Sequence, residues 1–266
     1  MEQDPWLQQI SLVMATTLAE QKYWCMVDVW DPASDNIPRL AYQVDGCFLL
    51  GNFSEEFYAG MEASSGIPLV TYNEKMPYQN GDSVRVDDRQ GMYELVSWLL
   101  ALGHQRIGLV VVGTRYPSME RRLNGFRKAM NEFGVRESQA PVVSCPEMGE
   151  ELPQRARNLT RKLLEDFSDV STIVFSSDYV AMEGLRVVRQ AGLRVPEDIS
   201  VVGHDDTQWG RYMSPALTTV GVDYKEICRR QVDVMRFLLG ESPVSPDNTI
   251  VPNIIKRGTV VSARKG

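Results

Sequence analysis

Residues 171–206 carry the clearest prediction of the fold, and they have the sequence STIVFSSDYVAMEGLRVVRQAGLRVPEDISVVGHDD. An apolar run ends in polar residues at 176–178, and a second run of the same kind ends at 204–206. Between the two runs, apolar residues recur at the spacing of a helix face. A parallel pair of strands needs a crossover long enough to hold a helix. The segment therefore predicts two parallel strands joined by a helix.

The same alternation continues on both sides of this segment. Short apolar runs that predict further strands are CMVDVW (25–30), VDGCFLLG (44–51), IPLVTY (67–72), SVRVDD (83–88) and IGLVVVG (107–113). Helical spacing follows Pro5, precedes Gly103 and Gly134, and fills the segment from Asp223 to Gly240. So many strand–helix units favour two sheets over one. We therefore expect a doubly wound α/β fold with parallel sheets, divided into two similar lobes.

The composition excludes one class of function. The 266 residues include 28 Lys and Arg against 35 Asp and Glu, which gives a formal net charge of −7. An acidic surface favours solubility and disfavours nonspecific binding to nucleic acid. Hydrophobic residues at 43% and charged residues at 24% are typical of a globular chain.

Cysteine and histidine usage predicts a reduced protein without a metal site. The four cysteines form no CxxC pair and are Cys25, Cys47, Cys145 and Cys228. With only two histidines, a transition-metal site lacks ligands, and no cofactor is expected. The opening MEQDPWLQQI lacks the cations and apolar run of a signal peptide, and no apolar run reaches the length of a membrane span. We expect a cytoplasmic protein.

Polar residues at the predicted strand ends are the first candidates for binding, because ligands of parallel α/β sheets collect there. They are Asp87, Ser177, Asp178, His204, Asp205 and Asp206. Carboxylates accept hydrogen bonds from vicinal hydroxyls, so the pattern suits a polyol or a nucleoside. The alternative is that Asp87 or Asp88, Asp178 and Asp206 only cap the helices that follow. Asp205 is the hardest of them to explain as a cap.

Three further side chains have a binding interpretation and a structural one. Arg122 opens a helix, where its planar fork can clamp hydroxyls or remain a surface side chain. Trp6, in the first turn of the chain's first helix, can stack on a sugar or pack between layers. Trp209, on a predicted loop after a strand, has the same two interpretations.

Motifs typical of enzymes are missing. The sequence contains no GxxxxGK[ST] phosphate loop, no GxSxG nucleophile elbow and no GxGxxG after a strand. His204 beside Asp205 is a weak candidate for acid–base catalysis, because neighbouring side chains on a strand point to opposite faces. We therefore expect binding without turnover.

Several segments together resemble the effector-binding core of LacI/GalR-type transcription regulators. They are LALGHQRIGLVVVG (100–113), RRLNGFRKAM (121–130), VFSSDYVAMEGLRVVRQAGLRVPEDISVVGHDDT (174–207), SPALTTVGVD (214–223) and VPNIIKRGT (251–259). The similarity covers residues 4–259, which is nearly the whole chain.

The resemblance implies a type I periplasmic-binding-protein-like fold, with two Rossmann-like lobes joined by three crossings and a small effector in the cleft. The crossings are expected near Gln105, Gly221 and Asn248, which gives one lobe of residues 1–104 and 222–247 and another of residues 105–221 and 248–266. With the candidates above, the predicted effector-binding residues are Trp6, Asp87, Arg122, Ser177, Asp178, Asp205 and Trp209. The chain departs from the family pattern at Ser177, where Asn is usual, and at His204, where an aromatic residue is usual.

Members of this family carry a DNA-binding headpiece, a hinge helix and a first strand before the segment that contains Trp6. None of these is recognisable here, so this chain alone is not expected to bind operator DNA, and a shortened reading frame or a fragment is expected. The resemblance also implies a homodimer. The predicted function is the sugar- or nucleoside-sensing core of such a regulator. The alternatives are a solute-binding protein that feeds a transporter and, less favoured, a small-molecule enzyme on the same fold.

Overall fold

The computed structural model describes residues 5–28, 39–51, 53–73, 78–114, 116–145, 151–243 and 248–263. The α-helices are α1 (Pro5–Glu20), α2 (Glu55–Ser64), α3 (Asp88–Ala101), α4 (Pro117–Glu132), α5 (Leu152–Asp166), α6 (Asp178–Gln190), α7 (Gln208–Tyr212) and α8 (Tyr224–Leu238). The strands are β1 (Cys47–Leu49), β2 (Leu69–Tyr72), β3 (Gly81–Val86), β4 (Ile107–Val112), β5 (Val142–Cys145), β6 (Thr172–Phe175), β7 (Ser200–His204), β8 (Thr218–Gly221), β9 (Thr249–Ile250) and β10 (Asn253–Ile255). Short 3₁₀ helices cover Arg39–Tyr42 and Glu137–Gln139.

The chain divides into two compact units. Unit 1 comprises Met1–Val86 and Asp223–Ile250, and unit 2 comprises Asp87–Val222 and Val251–Gly266. The first boundary between these units lies at 86/87, whereas the resemblance implies 104/105. Helix α3 packs against α4, β8 and β10, so it belongs with unit 2. The other two boundaries lie at 222/223 and 250/251, where 221/222 and 247/248 were predicted.

Unit 1 is built on a parallel sheet with the strand order β1-β2-β3-β9. Helix α8 packs on β2 and β3, and α1 packs on α8. The apolar spacing of α1 explains this contact, because Ile10, Met14 and Leu18 fall on one face and are buried. Helix α8 follows the predicted cap Asp223, whose carboxylate accepts from the backbone N–H of Lys225 at 2.9 Å.

One predicted strand of unit 1 is wrong. Residues 25–28 of the run CMVDVW have no regular secondary structure, and residues 29–30 lie outside the described part of the chain. Trp24 is 98% exposed, and Val27 is 69% exposed. A strand needs a neighbour for its backbone hydrogen bonds, and no described strand pairs with this segment. Its β propensity is therefore not sufficient to form a strand.

Unit 2 is a six-stranded sheet of order β10-β8-β7-β6-β4-β5, in which only β10 is antiparallel. Every residue of β4 is buried. Leu109 and Val111 join the core formed with α3 and α4, whereas Val110 and Val112 join the core formed with α5 and α6. Alternate side chains of a strand point to opposite faces, so helices cover both faces of this sheet. This is the doubly wound arrangement predicted from the alternation of strands and helices.

None of the described helices is long and apolar enough to cross a membrane.

Candidate functional site

The ends of β6 and β7 bring two polar segments to one edge of the unit 2 sheet. The strands are parallel neighbours, so Ser177 and Asp178 after β6 lie beside Asp205 after β7. Helix α4, which follows β4, places Arg122 at the same edge. The structure thus brings these four side chains together at one edge of the sheet, and their contact with an effector stays a prediction.

Arg122 is buried, so the surface interpretation of this arginine is wrong. Its Nε donates to Oδ1 of Asp88 at 3.0 Å, and its Nη2 donates to Oδ1 of Asp205 at 2.8 Å. Its Nη1 donates to the carbonyl oxygen of Ser176. Of these three partners, Asp88 lies on α3, Asp205 follows β7, and Ser176 follows β6. They hold the guanidinium plane in one orientation.

Sequence reasoning singled out Asp87 at the start of α3, but the buried carboxylate that contacts the arginines is Asp88. Asp87 Oδ1 accepts from the backbone N–H of Gln90 at 3.0 Å, so Asp87 is the N-cap of α3. Asp88 is 0% exposed, and its Oδ2 also accepts from Arg121 Nη2 at 3.1 Å. The sequence did contain an indication of this contact. A carboxylate pair, Asp87–Asp88, follows a strand, and an arginine pair, Arg121–Arg122, lies in the next helix.

Asp205 has an unusual backbone conformation. Its φ is +111°, that of Asp206 is +52°, and the Asp205 N–H donates to the Val220 carbonyl at 2.6 Å. Non-glycine residues rarely adopt positive φ, and such residues cluster at functional sites. The backbone of Asp205 and Asp206 passes close to Gly221, which is possible because glycine has no Cβ. A Cβ at position 221 would lie only 2.9 Å from the backbone nitrogen of Asp206.

The electrostatics of Asp205 favour its ionised form. Burial raises the pKa of its carboxyl group, but the charge of Arg122 and the hydrogen bond from His204 outweigh burial. The pKa of Asp205 therefore lies below its ordinary value. The site thus contains a buried, ionised acceptor held against a buried cation.

Asp178 is fully buried and supports the loop that carries Asp205. Its Oδ2 accepts from the backbone N–H of Thr207 at 2.7 Å and from the Thr207 hydroxyl at 3.0 Å. Its Oδ1 accepts from the Thr219 hydroxyl at 2.6 Å. Burial, followed by repulsion from Asp205, raises the pKa of Asp178 to about 7. The contacts indicate that Asp178 holds the ends of β7 and β8 together.

The helix-cap interpretation is correct for Asp87 and wrong for Asp178 and Asp206, because α6 begins at the cap Ser177 and α7 at Thr207. The Ser177 hydroxyl accepts from the backbone N–H of Val180 at 3.2 Å and caps α6. Asp206 instead accepts from Arg211 at 2.7 Å and from Arg257. Ser177 and Asp178 thus have structural roles, and their predicted contacts with the effector stay predictions.

The two predicted tryptophans lie in different units. Trp6, on α1 of unit 1, packs its ring 4.9 Å from that of Tyr72 at an interplanar angle of 33°. Trp209, on α7 of unit 2, is 46% exposed. Aromatic faces of this kind can stack on a sugar ring, and both assignments stay predictions. Within the described part of the chain, no group of three or more His, Cys, Asp or Glu side chains is arranged to hold a metal ion.

Residues 96–260 match the family described as periplasmic binding protein-like domain. The chain belongs to this family. It is 26% identical over 195 residues to the HTH-type transcriptional regulator AscG of Escherichia coli K12. The alignment covers 73% of this chain and 57% of AscG. It is also 26% identical over 228 residues to the ribose operon repressor of Haemophilus influenzae. That alignment covers 85% of this chain and 64% of the repressor. The chain thus spans less than two thirds of each relative.

A solved structure confirms the predicted fold. A LacI family transcriptional regulator from Enterococcus faecium with bound ribose superimposes with a TM-score of 0.83 at 22% identity, covering 98% of this chain and 96% of that chain. Together with the two regulators, this structure confirms the resemblance to LacI/GalR-type regulators and the type I periplasmic-binding-protein-like fold.

Proposed function

We propose that this chain is the effector-sensing core of a LacI/GalR-type transcription regulator, and that its effector is a sugar or a nucleoside. The observation that carries the proposal is the buried Arg122–Asp205 pair at the strand ends of unit 2. Relatives that are transcriptional regulators support this function over that of a solute-binding protein for a transporter.

The chemistry of the pair suits a polyhydroxylated ligand. An arginine offers only donors and an ionised carboxylate offers only acceptors, so together they match a hydroxyl group that both donates and accepts. Hydrogen bonds to charged groups are stronger than neutral ones and fix the orientation of the ligand. Ribose is the first sugar to test, because it is bound in the similar structure and because one relative is a ribose operon repressor.

We further propose that Trp6, Asp87 and Trp209 contact the effector, and that Ser177 and Asp178 act mainly by shaping its surroundings. Effector binding changes the affinity for DNA only if the effector prefers one conformation of the core. In this proposal the DNA-reading headpiece belongs to the full-length protein, which acts as a cytoplasmic homodimer. The bound sugar is released unchanged, because the site senses and does not catalyse.

A thermal-shift screen of the purified chain tests the proposal. A ligand that binds only the folded state raises the melting temperature, and the rise grows with the logarithm of the ligand concentration once that concentration exceeds Kd. We expect a concentration-dependent rise with ribose, another monosaccharide or a nucleoside, and a smaller rise at the same ligand concentration for the Asp205→Asn variant. A folded chain that responds to no sugar or nucleoside would contradict the proposed function. Conversion of a bound sugar into a product would favour the enzyme alternative.

A further inference from the structure

His204 lies beside the Arg122–Asp205 pair and has no role so far in the proposed function. It is the last residue of β7 and is 2% exposed. Its Nδ1 lies 3.1 Å from Oδ1 of Asp205, the oxygen that also accepts from Arg122. Its Nε2 lies 3.8 Å from Oδ1 of Asp88. Arg122, Asp205, His204 and Asp88 therefore form a ring in which basic and acidic side chains alternate.

The geometry determines which ring nitrogen of His204 carries the proton. Nδ1 faces an ionised carboxylate oxygen within hydrogen-bonding distance, and such an oxygen can only accept. Nε2 has no hydrogen-bond partner, because its distance of 3.8 Å to Asp88 is too long. The stable neutral form is therefore the tautomer with its proton on Nδ1. Its hydrogen bond goes to Asp205.

The charge state of His204 follows from its surroundings. Three charged side chains face the imidazole of His204: Arg122 from α4, Asp88 from α3, and Asp205, the next residue in the chain. Burial and the charge of Arg122 lower the pKa of His204 below its ordinary value, in spite of the two carboxylates. His204 is thus neutral at pH 7 and donates to Asp205 without adding a second buried cation beside Arg122.

We propose that His204 is a positioning residue, whose Nδ1–H fixes the Asp205 carboxylate against Arg122 and so determines which effector hydroxyls that carboxylate accepts. This inference rests on the proposed function, because it names a determinant of specificity in the same site. A side chain without a donor at this position removes the hydrogen bond from His204 and keeps the one from Arg122. The orientation of the carboxylate's acceptor oxygens is then less restricted.

Nitrogen-15 NMR of the effector-free protein tests the tautomer directly. The chain has two histidines, and His104 is an internal reference of equal burial. His104 Nε2 faces the Val261 carbonyl at 2.8 Å, so His104 is expected as the Nε2–H tautomer and His204 as the Nδ1–H tautomer. A His104→Phe variant assigns the two sets of signals. An Nε2–H tautomer at His204 would overturn the inference.

Two variants test the effect on specificity. His204→Asn keeps a donor near the position of Nδ1, whereas His204→Phe keeps a ring and removes the donor. We expect His204→Phe to weaken binding of the best effector about tenfold or more and to reduce its preference over epimers of the same sugar. His204→Asn is expected to restore both values to within about threefold. His104→Phe, which removes a buried histidine at the amino ends of the strands, is the control and should leave both unchanged.

The two proposals fail in different ways. If the wild-type chain binds an effector and His204→Phe binds it with the same affinity and preference, the positioning role is overturned and the proposed function stands. If the wild-type chain binds no sugar or nucleoside although His204 is the Nδ1–H tautomer, the proposed function fails, and the specificity role of His204 fails with it. The hydrogen bond to Asp205 is then purely structural.

Discussion

Arg122 and Asp205 are 83 residues apart in the sequence, and Nη2 of the arginine lies 2.8 Å from Oδ1 of the aspartate. Both side chains are largely shielded from water, with 7% and 16% of their side-chain surface exposed. A buried ion pair contributes little net stability over an apolar pair, but the loss of one partner is costly. Stability alone therefore does not explain this pair at the strand ends, and a binding role does.

Replacement of Asp205 by Asn is expected to lower effector affinity about 10- to 150-fold, since a hydrogen bond to a charged group contributes roughly 1.5–3 kcal/mol. Titration calorimetry with the effector found in the thermal-shift screen measures this change. Asp198→Asn is the matched control, because Asp198 pairs with Arg194 at 2.7 Å but that arginine is 66% exposed. Equal affinities of the Asp205→Asn variant and the wild-type chain would refute the site assignment.

Replacement of Arg122 by Ala is expected to lower the free energy of unfolding by about 3–5 kcal/mol, because it leaves two buried carboxylates, Asp88 and Asp205, without their shared cation. Urea denaturation measures the loss. Arg121→Ala should cost about 1 kcal/mol or less, because the Arg121 side chain is 33% exposed and solvent screens its charge. Similar losses in the two variants would show that the burial of Arg122 is energetically unimportant.

Asp178 is expected to make stability depend on pH. Its pKa is about 7 in the folded chain and 3.8 as the ordinary value, so the folded state binds the proton more tightly. The resulting contribution to stability is fully present below pH 3.8 and is lost as the pH rises through 7. The Asp178→Asn variant lacks this contribution.

Unfolding free energies of the wild-type chain and the Asp178→Asn variant, measured from pH 4.5 to pH 8, isolate this effect. Titration of the histidines is common to both proteins and cancels in the difference. We expect the variant to gain stability relative to the wild type as the pH rises. A difference that is constant with pH would contradict the raised pKa.

Replacement of Gly221 by Ala is expected to disturb the loop that carries Asp205. The new Cβ would lie 2.5 Å from Cβ of Asp206 and 3.1 Å from the carbonyl carbon of Asp205, so the backbone must move. We expect a loss of about 1–3 kcal/mol in stability together with weaker effector binding.

Gly192→Ala is the control for the Gly221 variant. Gly192 has a φ of +78° and no neighbour within 4 Å, so alanine there strains the backbone without touching the site. It should lower stability and leave effector affinity unchanged. If both variants lose affinity in proportion to their lost stability, the close approach at Gly221 has no specific role in binding.

Trp6 is expected to contribute to effector binding through its ring face. Trp6→Ala should weaken affinity about 3- to 10-fold, the range expected from one aromatic contact. Trp24→Ala is the matched control in the same unit, because Trp24 is 98% exposed. An effect that is equal in the two variants, measured by calorimetry, would remove Trp6 from the site.

The arrangement of strands and helices was predictable because it depends on local periodicity. The alternation around residues 171–206 predicted a parallel sheet, and β6, α6 and β7 form it in unit 2. Strand pairing is not local, however. The run at 25–28 has the composition of a strand but remains irregular, because pairing depends on a neighbour that composition does not reveal.

For the site, the sequence by itself determined that Ser177, Asp178 and Asp205 follow strands, and that Arg122 opens a helix. The residue types and the strand ends are local facts, and parallel strands bring their ends to one edge. Only the tertiary structure decided that Asp88, and not its neighbour Asp87, faces Arg122, and that His204 joins the same ring. Which of two adjacent side chains turns inward depends on how α3 packs on α4, and that packing is set by contacts between segments distant in the sequence.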